Sequence, residues 1–246
     1  MGLHVEENLT VEISNVELSV SVGSRPSSLK SLLVNRKHPT VRKLILNVPH
    51  FIAREGDRIC VIGKNGNGKT TFMKVLAGIF TPTRGQVWTR SKPTAVLAAG
   101  IGMEDELTVE ENIDVSLLLR NLTSGQIREL KRGILEFCEL TTDANKQFKH
   151  LSTGYRSRLA FATAICETPR ILLLDEVLGG GDEFFMKKAN SKLHETIAVS
   201  QTAFIATHGP DEFDGVCNRV LVIEEGRITF DGEFSKGVDF YRKSNS

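Results

Sequence analysis

The amino-acid sequence predicts an α/β fold: a mostly parallel sheet with helices on both faces, plus an antiparallel β addition near the N-terminus. Short apolar runs of strand length alternate with segments of helical apolar spacing, which is typical of strand–helix–strand units. Residues 9–22 instead alternate apolar and polar side chains with period two, as half-buried strands do. A glycine-rich loop separates one apolar run from the helix that follows it.

The N-terminal elements supply the antiparallel addition and the first buried strand. The segment 9–22 is interpreted as one or two half-buried strands. The segment 23–43 is polar and basic with two prolines, and we interpret it as a loop with a short helix at Ser28–Val34. The strand pattern resumes over 44–53. The apolar run DRICVIG, 57–63, ends in glycine and has the form of a buried parallel strand.

The later elements alternate between helix and strand. A helix is predicted from Thr70 to Ile79, a strand in TAVLAAGIG (94–102), and helical spacing from Val109 to Glu139. Three more strand signals follow, in RILLLDE, TAFIATH and RVLVIEEGRITFDG. The last is a hairpin that turns at Glu225–Gly226.

Composition narrows the class of protein. The 246 residues suffice for one large α/β domain or two small ones, and the formal net charge of +1 gives no indication of a nucleic-acid partner. The four cysteines lack zinc or C-x-x-C spacing, which indicates buried thiols in a reducing cytosol. We expect no secretion signal, myristoylation or membrane span, because the N-terminus lacks those patterns and no run of about 18 apolar residues occurs.

The segment GKNGNGKT, Gly63–Thr70, is called the phosphate loop here because it matches G-x-x-x-x-G-K-[ST] between a strand and a helix. Glycines let backbone N–H groups turn toward phosphate oxygens, and the helix N-terminus adds positive potential. Lys69 would reach the β- and γ-phosphates of ATP, and Thr70 would ligate Mg²⁺. The predicted nucleotide-binding residues are Gly63, Lys64, Asn65, Gly66, Asn67, Gly68, Lys69, Thr70 and Thr71.

Two later strands end in candidate catalytic groups. Asp175 and Glu176 follow the apolar run ILLL, at the strand end where open α/β sheets bind ligands. Asp175 would hold Mg²⁺ through water, and Glu176 would polarise the attacking water; a pair of surface acids is the alternative. His208 ends another strand and could bond the γ-phosphate and that water, although a strand-end His is more often structural.

In this order, GKNGNGKTT, LSTGY, ILLLDE and ATH resemble the nucleotide-binding subunit of ABC transporters, over about residues 9–232. A closer resemblance is to the ATPase subunits that export O-antigen, capsule or teichoic-acid polysaccharide, and it lies in the stretch RLAFATAICETPRILLLDEVLGGGDEFFMKKA. The segment SRPSSLKSLL also resembles an N-terminal element of these subunits. The resemblance implies a P-loop NTPase (RecA-like) sheet with an antiparallel N-terminal β subdomain. It also implies an inserted helical subdomain at about 99–166 and leaves 233–246 as a short C-terminal tail.

The resemblance also assigns a second loop. Leu151–Tyr155 corresponds to the signature loop, which retains Ser152 and Gly154 for approach to a γ-phosphate. Two copies would pack head to tail, so that Ser152 of one closes over the ATP held by the other. Asp182 falls in the loop that communicates between subunits, and His208 at the switch histidine.

This chain departs from the family pattern at several positions. The signature loop differs from its commonest form at Thr153 and Tyr155. Ala98 stands near the position of a Gln that senses Mg²⁺ and the membrane partner. No aromatic residue lies at Arg42–Leu44, where one usually stacks on adenine, so adenine would rest on an aliphatic surface or on a residue of 23–38 such as His38.

The resemblance predicts an ATP hydrolase that powers glycan export, with an integral membrane permease and a second copy as partners. It would sit at the cytoplasmic face of the cell membrane. The alternative is a soluble ATP-dependent switch in repair or translation. The translation type has two such cassettes in one chain and the repair type a long coiled coil, for which the 81 residues from Thr70 to Leu151 are too few. A nucleotide-binding module with little turnover is disfavoured by Glu176.

Overall fold

The computed structural model describes residues 8–22, 41–97, 103–120, 122–175 and 183–244. Its strands are β1 (Leu9–Val22), β2 (Val41–Arg54), β3 (Arg58–Ile62), β4 (Arg84–Thr89), β5 (Thr94–Leu97), β6 (Ile171–Asp175), β7 (Thr202–Ala206), β8 (Arg219–Glu224) and β9 (Arg227–Glu233). Its α-helices are α1 (Lys69–Leu76), α2 (Val109–Leu118), α3 (Ser124–Cys138), α4 (Thr153–Ala164), α5 (Glu183–Val199) and α6 (Phe234–Ser244). The helix predicted at Ser28–Val34 lies outside the described residues.

The larger sheet has the order β5-β6-β7-β3-β8-β9. Every neighbouring pair from β5 to β8 is parallel, and only β8 and β9 pair antiparallel. The central strands are buried along nearly their whole length, including Cys60–Ile62 and Ile171–Leu174. Apolar side chains on both faces suit strands covered by helices on both sides. The predicted parallel sheet and its terminal hairpin are therefore confirmed.

The predicted antiparallel addition is a three-stranded sheet of order β2-β1-β4. β1 pairs with β2 over most of its 14 residues, and the apolar side chains Val11, Ile13, Val16 and Leu18 of its alternating pattern are buried. The third strand, β4, was not predicted, because its six residues are exposed or half-buried and lack an apolar alternation. Its pairing with β1 is what defines it as a strand.

Three packed clusters hold the layers together. Phe51, Phe72 and Phe204 meet edge to face, with centroids 6.0–6.3 Å apart, between the small sheet, α1 and the large sheet. A second cluster joins α4, α5 and α6 to the other face of the large sheet. The third is formed mainly by α2, α3 and α4. Each fully buried Phe stabilises the fold by about 1.5–3 kcal/mol.

Helix boundaries differ from the prediction in physically clear ways. α1 ends at Leu76, before Gly78, which has φ of +71°. The helical spacing from Val109 to Glu139 is two helices, each opened by a capping box: Thr108 with Glu111, and Thr123 with Gln126.

The expected C-terminal tail is mostly helical. α6 packs on the terminal hairpin, with Phe240 stacked on Phe230 at 5.3 Å between centroids. Arg242 on this helix donates to both carboxylate oxygens of Asp211, at 2.7 and 2.8 Å. The C-terminal segment is therefore part of the folded domain as far as Ser244.

The cysteines are free thiols, as predicted. Cys60, Cys138 and Cys217 are buried, whereas Cys166 is partly exposed. Burial raises the pKa of Cys138 to about 12 and that of Cys166 to about 11. At both positions burial therefore favours the neutral thiol over the thiolate.

Candidate functional site

The predicted catalytic groups converge because three strands are in register. Val61 of β3 pairs with Ala206 of β7, which pairs in turn with Asp175 of β6. These three residues form one row at the carboxyl edge of the parallel sheet. Gly63 and His208 each follow two residues beyond that row. The phosphate loop, Asp175 and His208 therefore lie at the same edge, where open α/β sheets bind ligands.

The phosphate loop leads into α1 without a side-chain cap. Gly68 occupies the N-cap position with φ of +105°, a left-handed conformation that favours glycine. Because Gly68 has no side chain to accept hydrogen bonds, the first N–H groups of the helix remain available to a ligand. An uncapped helix start next to a glycine-rich loop is an anion-binding arrangement.

Lys69 is buried, with 6% of its surface exposed. Its ammonium donates to the carbonyl oxygen of Gly63 at 2.8 Å and to that of Lys64 at 3.5 Å. Nζ also lies 3.5 Å from Nε2 of His208. The folded chain thus brings together a lysine and a histidine that are far apart in sequence.

These groups line one cavity. Its lining residues are Ile45, Asn65, Gly66, Gly68, Lys69, Thr70, Thr71 and His208. All of them except Ile45 were predicted from the sequence. Ile45 was missed because an aliphatic residue in a strand gives no sign of ligand contact. It follows directly after Arg42–Leu44, so an aliphatic side chain stands beside the expected adenine position.

Thr70 and Asp175 are suitable ligands for magnesium. Both offer oxygen atoms, which this cation prefers, and magnesium bound with a nucleotide needs only one or two protein ligands in addition to phosphate and water. Within the described part of the chain, no three His, Cys, Asp or Glu side chains cluster as a metal site. The oxygen atoms of Thr70 and Asp175 fit magnesium that is bound together with a nucleotide.

The signature loop opens α4 differently. Ser152 is the N-cap, and its Oγ accepts a hydrogen bond from the backbone N–H of Tyr155 at 3.4 Å. Since the oxygen is the acceptor there, the hydroxyl proton can be donated to another group. Ser152 is exposed, and a Cβ built on Gly154 would have only Ser152 Oγ nearby, at 3.9 Å.

A buried arginine fixes this helix to its neighbours. Arg158 of α4 lies between the rings of Tyr155 and Phe185, 4.9 and 4.5 Å from their centroids. Its guanidinium is also 3.6 Å from a carboxylate oxygen of Glu139. Sequence reasoning assigned Arg158 no role, since two of its contacts, Glu139 at the end of α3 and Phe185 on α5, are distant in sequence.

The two loops do not meet within one chain. Neither Ser152 nor Gly154, both in the described part of the structure, lines the cavity at the phosphate loop. Glu176, Asp182 and Ala98 lie outside the described residues. Their assigned roles therefore stay predictions.

None of the helices in the described part of the chain is long and apolar enough to cross a membrane. A family model described as ABC transporter matches residues 46–179.

The teichoic acids export ATP-binding protein TagH of Listeria innocua is 31% identical over 210 residues, which make up 85% of this chain and 62% of that protein. TagH of Staphylococcus saprophyticus is 31% identical across 96% of this chain and 89% of its own length. The O-antigen export system ATP-binding protein RfbB of Klebsiella pneumoniae is 29% identical, covering 89% and 87%. The chain therefore spans less than two thirds of the Listeria relative.

Among solved structures, the dimeric ATP-binding cassette MJ0796 in a post-hydrolysis state with ADP and phosphate is similar in fold. The TM-score is 0.70 at 20% identity, over 91% of this chain and 98% of that one. Likeness at this level of identity concerns the architecture.

Proposed function

The chain belongs to the ABC transporter family, and from that membership we propose that it is an ATP-binding and ATP-hydrolysing subunit. We further propose that it powers export of a polysaccharide or lipid-linked glycan. The observation that carries the first part is the meeting of Lys69 and His208, 3.5 Å apart, at the sheet edge where Asp175 ends its strand. The second part is supported by the export functions in the relatives' names.

Each residue of the site has a defined task in this proposal. The N–H groups of the phosphate loop and the Lys69 ammonium bind the β- and γ-phosphates. Glu176 orients and polarises the attacking water, and His208 contacts the γ-phosphate and that water. Magnesium, held by Thr70 and through water by Asp175, would neutralise phosphate charge. The base of ATP rests on Ile45 or on a residue such as His38.

The active form is a head-to-tail homodimer. Ser152 is exposed with a hydroxyl proton to donate, and a Cβ on Gly154 would contact only the Ser152 hydroxyl. These features suit a loop that closes over the γ-phosphate bound by a second copy, with Asp182 near the contact. The similar cassette MJ0796 was solved as a dimer, and the proposal extends that assembly to this chain.

Export requires a membrane partner. We assign that role to an integral membrane permease, and we place the chain at the cytoplasmic face of the cell membrane through this contact. Relatives are named as ATP-binding proteins of export systems. ATP-driven closing and opening of the dimer would then move the permease.

The enzymatic part is tested by magnesium-dependent phosphate release from ATP. The wild-type chain should hydrolyse ATP, whereas Glu176→Gln should bind ATP equally well and lose at least about 100-fold in kcat, because the amide retains the shape and loses the base. Phosphate release by Glu176→Gln within about threefold of wild type would remove Glu176 from this role.

The export part is tested in the organism that encodes the chain. Deleting its gene should abolish the surface glycan and leave the lipid-linked precursor inside the cell. The wild-type gene should restore the surface polymer, and the Glu176→Gln gene should not. An unchanged surface glycan in the deletion strain would contradict the assignment to export.

A further inference from the structure

The turn of the terminal hairpin, Glu225–Gly226, lies directly against the phosphate loop. The N–H of Gly226 donates to the carbonyl oxygen of Asn67 at 2.9 Å. Its own carbonyl accepts from the N–H of Asn47 on β2 at 2.7 Å. Gly226 therefore connects the phosphate loop to the antiparallel sheet, although it is far downstream of both in sequence.

Only glycine fits at this position. Gly226 has φ of +74°, in the left-handed region. A Cβ here would collide with the carbonyl oxygen of Ile45 and would lie 3.1 Å from Cα of Leu46. On the opposite side, a Cβ built on Gly68 would lie 3.3 Å from Cα of Gly226. Two bare backbones thus face each other where the hairpin contacts the loop.

This contact determines how one peptide group of the phosphate loop is oriented. The C=O of Asn67 and the N–H of Gly68 belong to the same planar trans peptide, so they point in opposite directions. Because the Asn67 carbonyl is directed at the N–H of Gly226, the N–H of Gly68 is directed away from the hairpin. Gly68 also lines the cavity at the phosphate loop.

We propose that Gly226 is a positioning residue for ATP binding, which holds the Asn67–Gly68 peptide in the orientation that presents the Gly68 N–H to phosphate. The inference rests on the proposed function, since it requires that the loop binds ATP. It adds Gly226, a hairpin residue that is not part of the loop motif, to the ATP site. The hairpin in turn is packed by α6, so the C-terminal helix supports the same position.

The test compares two glycines that share a backbone conformation. Gly215 also has φ of +74°, but a Cβ there would have no atom within 4 Å. Gly226→Ala and Gly215→Ala therefore introduce the same left-handed strain, and only the first introduces a collision next to the phosphate loop. Affinity for a labelled ATP analogue and the thermal midpoint are measured for both variants.

We expect Gly226→Ala to weaken ATP binding about tenfold or more, the loss for one hydrogen bond to a charged oxygen. Gly215→Ala should bind within about twofold of wild type, because its strain is remote from the loop. Binding by Gly226→Ala within twofold of wild type would overturn the proposal, as would equal weakening in both variants. Failure of the wild type to bind ATP would instead contradict the proposed function.

A measurement on the wild-type chain covers the case in which Gly226→Ala does not fold. Amide hydrogen exchange is followed by NMR with and without a saturating non-hydrolysable ATP analogue. The N–H of Gly226 should gain protection together with that of Gly68, while Gly215 should not change. Equal exchange of the Gly226 amide in both states would overturn the proposal.

Discussion

The phosphate loop and the signature loop each lead into a helix, but the two helices are capped differently. α1 begins after Gly68, which has no side chain to offer its first N–H groups. α4 begins after Ser152, whose hydroxyl oxygen accepts from the N–H of Tyr155. The first backbone N–H groups of α1 can therefore bind a ligand. At the start of α4, Ser152 accepts from one backbone N–H, and its hydroxyl proton can still be donated to another group.

The glycines of the two loops also differ in what surrounds them. Gly68 has a left-handed backbone and lies against Gly226, so contacts within the chain account for it. Gly154 is within a helix, and a Cβ there would contact only the Ser152 hydroxyl, at 3.9 Å. Glycine in a helix reduces stability by roughly 0.5–1 kcal/mol relative to alanine. A second copy that approaches Gly154 closely would explain why this residue is glycine.

Lys69→Ala should have the largest effect, because it removes the cation on the β- and γ-phosphates. ATP binding should be lost, as measured by equilibrium binding of a labelled analogue. Lys74→Ala, on the same helix, is the matched control, since Lys74 contacts the Phe80 ring instead of the loop. Unchanged binding by Lys69→Ala would refute the assigned role of the phosphate loop.

Ser152→Arg should distinguish the function of the signature loop from that of the phosphate loop. Turnover should fall to background while the isolated chain binds ATP within about twofold of wild type, because the phosphate loop is intact and the bulky cation blocks only the closed dimer. Phosphate release and ATP affinity are measured on the same preparation. Wild-type turnover by this variant would contradict a composite site.

Mixing Ser152→Arg with Lys69→Ala tests directly whether each ATP site is formed by two copies. In a head-to-tail heterodimer, one site carries both changes and the other carries neither. If a single site can hydrolyse ATP, the mixture should recover part of the activity that each variant lacks alone. Ser152→Arg alone, at the same total protein concentration, is the control.

The same substitution at the two glycines should change stability in opposite directions. Gly68→Ala should reduce the free energy of unfolding by at least about 1 kcal/mol, because alanine is strained at positive φ. Gly154→Ala should increase it by about 0.5–1 kcal/mol, yet lower turnover. Denaturant unfolding and phosphate release are measured for both. Full turnover by Gly154→Ala would show that nothing approaches this glycine closely.

The smallest effect on ATP binding is expected at Arg158. Arg158→Leu should reduce the free energy of unfolding by about 1–2 kcal/mol, since it loses cation–π contacts with Tyr155 and Phe185 and keeps part of the apolar packing. ATP affinity of the isolated chain should not change. Arg156→Leu, on the same helix but beside Phe148, is the control for a loss of charge near the signature loop. A loss of ATP affinity would place Arg158 in the phosphate site instead.

The sequence alone determined the local features of this protein. The phosphate loop between a strand and a helix, and the apolar strand ending at Asp175, were both predicted correctly as structural features. Each depends on the conformational and hydrogen-bonding preferences of a few adjacent residues. The alternation of strands and helices likewise indicated the parallel sheet, because side-chain periodicity is a local property.

Only the tertiary structure decided which distant residues meet. The strand order brings His208 to Lys69, the hairpin brings Gly226 to the phosphate loop, and α5 brings the Phe185 ring to Arg158. β4 is defined by its pairing with β1 rather than by its own residues. These contacts join segments that no periodicity relates, so they follow from the packing of the whole chain and are invisible in any short stretch of it.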